Sequence, residues 1–227
     1  MYLLIAGYHI FMAQKIIIGV DEAGRGPLAG PVTVAAVMVP TISNFKFQIS
    51  KFLRGIKDSK KLSAHQREEW MRQIKNQKLK TKNLDFATSS VGAQIIDKIG
   101  ITRAVRMAVG RCLKKLKIKN QKPKLQISTY KLSTINHKLF LDGSLYAPRT
   151  YLNQETIIKG DEKIPLIAAA SIVAKVHRDK KMAKLSERLP QYGFAIHKGY
   201  GTLLHRKAIK KYGLSKFHRK TFCTKFA

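Results

Sequence analysis

The amino-acid sequence predicts an α/β protein with acidic residues gathered at one edge of a sheet. Two β-branched runs, residues 16–20 and 32–39, have the character of buried strands, and helical patterns alternate with further strands along the rest of the chain. Three of the strands are followed by a carboxylate, at Asp21, Asp142 and Asp161. Because adjacent strands of a sheet bring their ends together, these three acids are expected to meet.

An acidic pair and a glycine-rich loop follow the first strand. Residues 19–32 read Gly-Val-Asp-Glu-Ala-Gly-Arg-Gly-Pro-Leu-Ala-Gly-Pro-Val. Side chains alternate along a strand, so Asp21 and Glu22 are expected to share a site only if the chain leaves extended geometry there, which the glycines permit. Adjacent carboxylates repel each other, and their hard oxygen atoms suit Mg²⁺ or Mn²⁺. The alternative to a metal site is an ordinary hairpin whose acidic tip is exposed to solvent.

A helix is predicted to start after Ser63. Ser63 and Gln66 have the capping-box spacing, and residues 67–74 are good helix formers. The core-facing residues of this helix are expected to be Trp70, Met71 and Ile74. Residues 58–63, Asp-Ser-Lys-Lys-Leu-Ser, precede this helix and are compatible with a simple loop and helix cap.

The middle of the chain continues the alternation of strand and helix. Residues 84–91 are predicted to form a strand, and residues 93–115 one or two helices. The helical part carries a buried apolar stripe at helical spacing: Ile101, Val105, Ala108, Cys112 and Leu116. The basic segment 117–138, interrupted by Pro123, is expected to be a surface loop.

Two later strands repeat the pattern of the first. Residues 138–143 and 156–161 each bring a short apolar or β-branched run to an acid accompanied by glycine. A long helix is predicted from Pro165 to about residue 189, because Pro suits the first turn of a helix and Pro190 ends it. Asp161 has an alternative role as an N-terminal acid that the dipole of the following helix favours.

The net charge points to a polyanionic partner. The chain has 227 residues, with 44 Lys plus Arg against 13 Asp plus Glu, a formal charge of +31. Such a charge attracts phosphate backbones, although it fits a ribosomal protein equally well. The basic residues are spread along the chain rather than placed on one amphipathic helix, which disfavours a membrane role. Two cysteines without metal-ligand spacing favour a reducing, cytoplasmic setting.

The acidic motifs together resemble those of the ribonuclease HII family. Residues 21–32 resemble its opening motif, and residues 58–63, 138–143, 197–202 and 218–222 resemble its later segments in the same order. The resemblance covers roughly residues 15 to 222. It implies an RNase H-like fold, with a mixed five-stranded sheet flanked by helices and a small helical C-terminal region.

The resemblance also implies an activity and a set of site residues. The implied enzyme is an endoribonuclease that cuts the RNA strand of RNA–DNA hybrids, and duplex DNA on the 5′ side of an embedded ribonucleotide, leaving 5′-phosphate and 3′-hydroxyl ends. Two ions of Mn²⁺ or Mg²⁺ would be held by the catalytic acids Asp21, Glu22, Asp142 and Asp161. The implied substrate-binding residues are Gly24, Arg25, Gly26, Lys60, Lys198 and Tyr200.

Several alternatives stay open from the sequence. Lys198 and Arg219 are equally compatible with a generic basic surface, Tyr200 with a turn anchored in the core, and the late histidines with hydrogen-bonded structural roles. The chain as a whole is also compatible with a non-catalytic, basic nucleic-acid-binding protein that associates with the ribosome. Ribonuclease HIII is the alternative within the enzyme class, but we expect an additional N-terminal domain there.

The predicted organisation is one catalytic domain with two appendages. Residues 1–14 are expected to be a dispensable extension, residues 15–189 the RNase H-like catalytic domain, and residues 190–227 a helical substrate-binding region. We expect a monomer without a membrane-spanning segment.

Overall fold

The computed structural model describes residues 4–5, 8–9, 16–40, 51–53, 55–56, 62–81, 83–118 and 137–225. The strands, in chain order, are β1 (Leu4–Ile5), β2 (Tyr8–His9), β3 (Ile16–Ala23), β4 (Val32–Pro40), β5 (Asp85–Val91), β6 (His137–Asp142) and β7 (Gln154–Ile157). β1 and β2 form a small antiparallel sheet, and the other five form the central sheet.

The central sheet is mixed. Its strand order is β5-β4-β3-β6-β7, with antiparallel pairing of β3 to β4 and of β4 to β5, and parallel pairing of β3 to β6 and of β6 to β7. This order confirms the five-stranded mixed sheet that the family resemblance implied. The two carboxylate-bearing strands β3 and β6 are neighbours at its centre.

Helices cover both faces of the sheet. They are α1 (Ala64–Thr81), α2 (Ala93–Ile99), α3 (Ile101–Lys115), α4 (Gly160–Lys163), α5 (Pro165–Arg188), α6 (Phe194–His197) and α7 (Leu203–Tyr212), with 3₁₀ turns at Pro190–Tyr192 and Lys220–Phe222. On one face α3 packs its apolar stripe, including Val105, Ala108 and Cys112, against the strands. On the other face α5 and α1 form a second core. The helices thus enclose the sheet in two hydrophobic layers.

The long helix α5 lies against the central strand because that strand contains a glycine. A Cβ atom built on Gly19 would lie 2.4 Å from the main-chain carbonyl of Leu166, at the start of α5. The absence of a side chain therefore lets the helix approach β3 closely. This contact sets the position of α5 beside the acidic end of β3.

The C-terminal region packs on the glycine-rich loop after β3. The Leu28 amide donates to the Gly199 carbonyl at 2.9 Å, and the Arg219 amide donates to the Leu28 carbonyl at 2.7 Å. Three buried histidines form the interior of this region, with 3.1 Å between the Nε2 atoms of His205 and His218 and with the ring of His197 stacked on that of His205. These contacts agree with a hydrogen-bonded, structural role for the three histidines.

Local features of the helices follow the sequence with one refinement. In the capping box at α1, the Ser63 amide donates to the Gln66 side-chain oxygen at 2.8 Å and the Gln66 amide to the Ser63 hydroxyl at 3.1 Å. Residues 93–115 form two helices, separated at Gly100, whose φ of +79° interrupts the helix. The central part of the basic segment 117–138 lies outside the described residues, as do residues 57–61.

One expectation about β3 is wrong. The chain does not leave extended geometry at the acidic pair, since β3 continues to Ala23 and pairs Asp21 with Ala35 and Glu22 with Val34. Parallel pairing with β6, however, ends at Val20. Beyond Val20 the β6 side of β3 opens, so both acids reach the same cleft without a bend. In the described part of the chain, no helix combines the length and the apolar character needed to cross a membrane.

Candidate metal and nucleic-acid site

Strand register brings the three aspartates together. Val20 on β3 pairs with Leu141 on β6, so Asp21 and Asp142 are the next residues of two adjacent parallel strands. Asp161 lies on the short helix α4, which starts soon after β7, the other neighbour of β6. One carboxylate oxygen from each of these three aspartates lies within 4.8 Å of the corresponding oxygens of the other two. The clustering expected from the strand ends is thus present in the fold.

Main-chain groups hold the cluster in place. Asp142 Oδ1 accepts a hydrogen bond from the Gly160 amide at 2.7 Å and another from the Asp161 amide at 3.4 Å. These bonds tie the start of α4 to the end of β6. Asp161 therefore lies in the first turn of a helix, as the dipole alternative required, and its carboxylate also belongs to the cluster.

Two members of the cluster, Asp21 and Asp161, are buried, Asp142 is half-buried, and the three carboxylates together are electrostatically unfavourable. Asp21 is 4% exposed and hydrogen-bonded to the Ser171 side chain, and its Oδ1 accepts from the Glu22 amide at 2.6 Å. Burial raises the pKa of Asp21 well above its usual range, and the charges of Glu22 and Asp142 raise it further. A divalent cation would offset this repulsion, and carboxylate oxygens are the ligands that Mg²⁺ and Mn²⁺ prefer. The residues present therefore fit a divalent metal.

Glu22 lies beside the cluster rather than within it. Its side chain is 15% exposed and lies 3.6 Å from the Arg25 guanidinium. Burial raises the pKa of Glu22, an effect that the hydrogen bond with Asp21 and the charge of Arg25 reduce. Among the described residues, the group with mutually close ligand atoms comprises the three aspartates. The structure thus brings three of the four predicted acids together and places the fourth in the adjoining wall.

A cleft of about 500 Å³ opens onto these acids. Its lining includes the predicted residues Asp21, Glu22, Gly24, Arg25, Gly26, Asp142 and Tyr200. It also includes Arg67, Ser171 and Lys175, which the sequence reasoning missed. Ser171 and Lys175 had a usable signal, because they are polar residues one helical turn apart in an otherwise apolar run. The sequence contained no comparable signal for Arg67, which lies in the first turn of α1.

Buried Arg219 holds the glycine-rich loop from behind. It is fully buried, so the alternative of a basic surface residue is wrong. Its Nη1 donates to the Arg25 carbonyl at 2.7 Å, and its Nη2 donates to the carbonyls of Gly24 at 2.7 Å and Gly30 at 3.0 Å. Because guanidinium donors form a rigid planar fork, these bonds fix the loop that lines the cleft.

A second buried arginine, Arg178 on α5, lies under the same loop. Its Nε donates to the Pro31 carbonyl at 3.0 Å and its Nη2 to the Lys198 carbonyl at 2.8 Å. The guanidinium carbon lies 5.8 Å from the centre of the Tyr200 ring. Tyr200 is 45% exposed, so it lies in the cleft wall rather than in the core. Arg178 thus supports both the loop and the tyrosine.

Of the two predicted lysines, only Lys198 lies among the described residues. The Lys198 ammonium donates to the Ala195 carbonyl at 2.6 Å, and Lys198 does not line the cleft. Its backbone adopts a left-handed conformation at the end of α6, which directs the main chain toward Arg178. Lys60 lies outside the described residues.

Comparison with known proteins agrees with this geometry. The family model of ribonuclease HII matches residues 18–225. The chain is 41% identical to ribonuclease HII of Chloroherpeton thalassium over 208 residues, covering 92% of this chain and 90% of that protein. It is 42% identical to ribonuclease HII of Pelagibacter ubique over 209 residues, covering 92% of this chain and 96% of that one.

Solved structures share the fold. The ribonuclease HII in a PCNA complex from Archaeoglobus fulgidus matches with a TM-score of 0.65 and 26% identity, covering 92% of this chain and 94% of that one. Ribonuclease H2 from Pyrococcus horikoshii matches with a TM-score of 0.64 at 23% identity, covering 93% and 96%. The family match extends over nearly all of the chain and includes every acid of the site. The chain therefore belongs to the ribonuclease HII family, whose members are metal-dependent type 2 ribonucleases H.

Proposed function

We propose that this protein hydrolyses the RNA strand of RNA–DNA hybrids and cuts duplex DNA on the 5′ side of an embedded ribonucleotide, leaving 5′-phosphate and 3′-hydroxyl ends. One observation carries the proposal: a cluster of three aspartates, two of them buried, adjoins a cleft whose wall contains the Gly-Arg-Gly segment and an exposed tyrosine. The acids suit metal-assisted phosphodiester hydrolysis, and the wall suits recognition of a sugar edge.

The metal would be Mn²⁺ or Mg²⁺, held by Asp21, Asp142 and Asp161 with Glu22 beside them. When bound, two such ions supply an activated water and neutralise the charge that develops on the phosphate and the departing 3′-oxygen. Ser171 hydrogen-bonds the side chain of Asp21 and so orients a ligand of the site.

The protein's own residues then position the nucleic acid. Gly24 and Gly26 let main-chain groups approach a 2′-hydroxyl, the chemical difference between a ribonucleotide and a deoxyribonucleotide at that site. Tyr200 offers a hydroxyl that can hydrogen-bond and a ring face that can stack on the adjacent sugar. Arg67 and Lys175 line the same cleft and contribute positive charge toward a phosphate. Catalysis by this arrangement depends on orientation as well as on metal.

Three broader expectations belong to the same proposal. The protein acts as a monomer, works in the cytoplasm, and uses residues 190–227 as a substrate-binding region. The contacts of Gly199 and Arg219 with the glycine-rich loop support the last of these, because they join that region to the cleft wall.

The test uses a DNA duplex with one ribonucleotide, an all-DNA duplex of the same sequence, and a long hybrid. We expect a single cut 5′ of the ribonucleotide, degradation of the hybrid, and no cleavage of all-DNA, in Mg²⁺ or Mn²⁺. Tyr200→Ala is expected to reduce the single-ribonucleotide cut by at least about tenfold through lost positioning. Tyr200→Phe separates the contribution of the hydroxyl from that of the ring.

Tyr212→Ala is the matched control, since Tyr212 is 49% exposed and does not line the cleft. Melting temperatures of all variants show whether each protein is folded. A wild-type protein that degrades hybrids but ignores the embedded ribonucleotide would contradict the recognition proposal. A folded, metal-loaded protein that cuts neither substrate would contradict the proposed activity.

A further inference from the structure

A second cleft, separate from the acidic one, lies where β5 meets α3 and α5. Its volume is about 550 Å³, and it is lined by Thr88, Ser89, Ser90, Arg111, Lys114, Lys115 and Lys181. Four of these seven side chains are cationic and three carry hydroxyl groups. None of the lining residues is acidic. Hydroxyl and cationic donors converging from three elements are the groups that bind phosphate oxygens.

Two of the ammonium groups are anchored to the strand. The Lys115 ammonium donates to the Thr88 carbonyl at 2.6 Å, and the Lys181 ammonium donates to the Ser90 hydroxyl at 2.7 Å. The Ser90 hydroxyl in turn lies 2.8 Å from that of Thr33. An ammonium carries three N–H groups, so one bond to the strand leaves capacity for an anion. The two charges are therefore positioned before any ligand arrives.

The electrostatics of the cleft favour an anion. Burial lowers the pKa of Lys181, and the positive charge of Lys115 lowers it further. The two positive charges repel each other, and a bound anion would relieve that repulsion. Lysine side chains also protect an exposed sheet edge from pairing with other strands, and that role by itself would account for Lys115. Edge protection does not account for Arg111 and Lys181, which enter the cleft from two different helices.

The second cleft opens at the same end of the sheet as the acidic site. Ser90 on β5 pairs with Thr33 on β4, which pairs with Ala23 on β3, two residues after Asp21. Two interstrand spacings separate β5 from β3, roughly 10 Å. For a duplex whose axis runs across the strands, with one phosphate per about 3.4 Å of helix axis on each strand, this separation corresponds to roughly three nucleotides.

We propose that this cleft binds a backbone phosphate of the duplex substrate about three nucleotides from the cleavage site. The proposal rests on the proposed nucleic-acid substrate of the acidic cleft and adds a second, sequence-independent contact to it. The contact holds the duplex in place while the acidic cleft selects the sugar. It therefore contributes to substrate binding and leaves the chemical step unchanged.

The test compares two double variants with the same loss of charge. Arg111→Gln/Lys181→Gln removes two cations that line the cleft, and Arg103→Gln/Arg106→Gln removes two exposed cations of α3 that do not line it. Hybrid affinity is measured across salt concentrations, and cleavage under saturating and limiting substrate. We expect the cleft variant to bind about tenfold more weakly, with the log–log salt slope reduced by about 1, while kcat is kept. The control variant should bind within about twofold of wild type.

Substrate length gives an independent measurement. On a duplex with only two base pairs on each side of the cleavage site, the cleft variant and wild type should have the same KM. On a duplex extending eight base pairs on each side, their KM values should differ about tenfold. Melting temperatures confirm folding, and Lys181→Gln alone replaces the double variant if the latter is unfolded.

Three results would overturn the proposal of a phosphate contact at the second cleft. Equal losses in the two double variants would show a general charge effect, and unchanged affinity in the cleft variant would show that the duplex does not reach this cleft. If millimolar inorganic phosphate raises the melting temperature of wild type but not of the cleft variant, and hybrid affinity is unchanged, the cleft binds a free anion instead. Absence of cleavage by wild type would contradict the proposed activity, whereas hybrid binding would still report on this cleft.

Discussion

Two glycines of one motif, Gly24 and Gly26, should differ in how much stability the same substitution costs. Gly24 has φ of +87°, and a Cβ atom there would lie 1.8 Å from Nε of buried Arg178. Gly26 has no positive φ, and a Cβ atom there would meet nothing within 4 Å among the described residues. Gly24→Ala is therefore a test of packing behind the loop, and Gly26→Ala a test of the open wall in front of it.

The expected destabilisation by Gly24→Ala follows from two contributions. A left-handed backbone conformation costs a non-glycine residue about 1–2 kcal/mol. Displacing the packed guanidinium of Arg178, with its bonds to Pro31 and Lys198, adds about 1–3 kcal/mol as overpacking. The sum is about 2–5 kcal/mol, which corresponds to a melting temperature lower by roughly 4–20 °C in a chain of this size. Gly26→Ala should stay within about 0.5 kcal/mol of wild type.

The assay pairs urea denaturation with cleavage of the single-ribonucleotide duplex. Gly24→Ala should lose both stability and activity, because the loop moves with Arg178. Gly26→Ala should keep its stability and lose about tenfold in cleavage, because its methyl group occupies the cleft wall where the sugar would lie. A Gly24→Ala protein that unfolds at the same urea concentration as wild type would refute the packing argument. A fully active Gly26→Ala protein would refute the placement of the sugar.

Three further predictions concern the acids, the metal and the histidines. Asp142→Asn should abolish cleavage while hybrid binding, followed by gel shift, is kept or strengthened, since the acids repel phosphate; a variant that fails to fold would instead indicate a structural acid. Mn²⁺ at about 100 times its Kd should stabilise wild type by about 2.7 kcal/mol but should stabilise Asp142→Asn much less, as measured by thermal melting; equal stabilisation would place the metal elsewhere. Burial lowers the pKa of His205 to about 4, so the unfolded chain binds more protons between that pH and about 6.5. Stability should therefore fall by on the order of 1–3 kcal/mol as pH drops through this range, less so in His205→Gln, and denaturation curves that are identical at pH 7 and pH 5 would contradict it.

Local sequence patterns were sufficient for the elements and for the candidate acids. Some features depend only on residues that are neighbours in the chain, and these are present in the structure as predicted. Examples are the capping box of Ser63 and Gln66 and the β-branched strands β3 and β4. The recurrence of an acid after three strands predicted the cluster of Asp21, Asp142 and Asp161, because parallel strands align their ends.

How the site is held, and where it opens, depends on contacts between distant parts of the chain. The sequence could not show that β3 stays extended through Glu22, since the opening beside it arises where pairing with β6 ends. Nor could it show that Arg219, far along the chain, is buried against the carbonyls of Gly24 and Gly30. Arginine is usually a surface residue, and its burial here depends on carbonyl acceptors supplied by a distant loop. Local patterns therefore predicted the candidate acids, whereas long-range packing set their positions, because contacts between distant residues leave no local periodicity to detect.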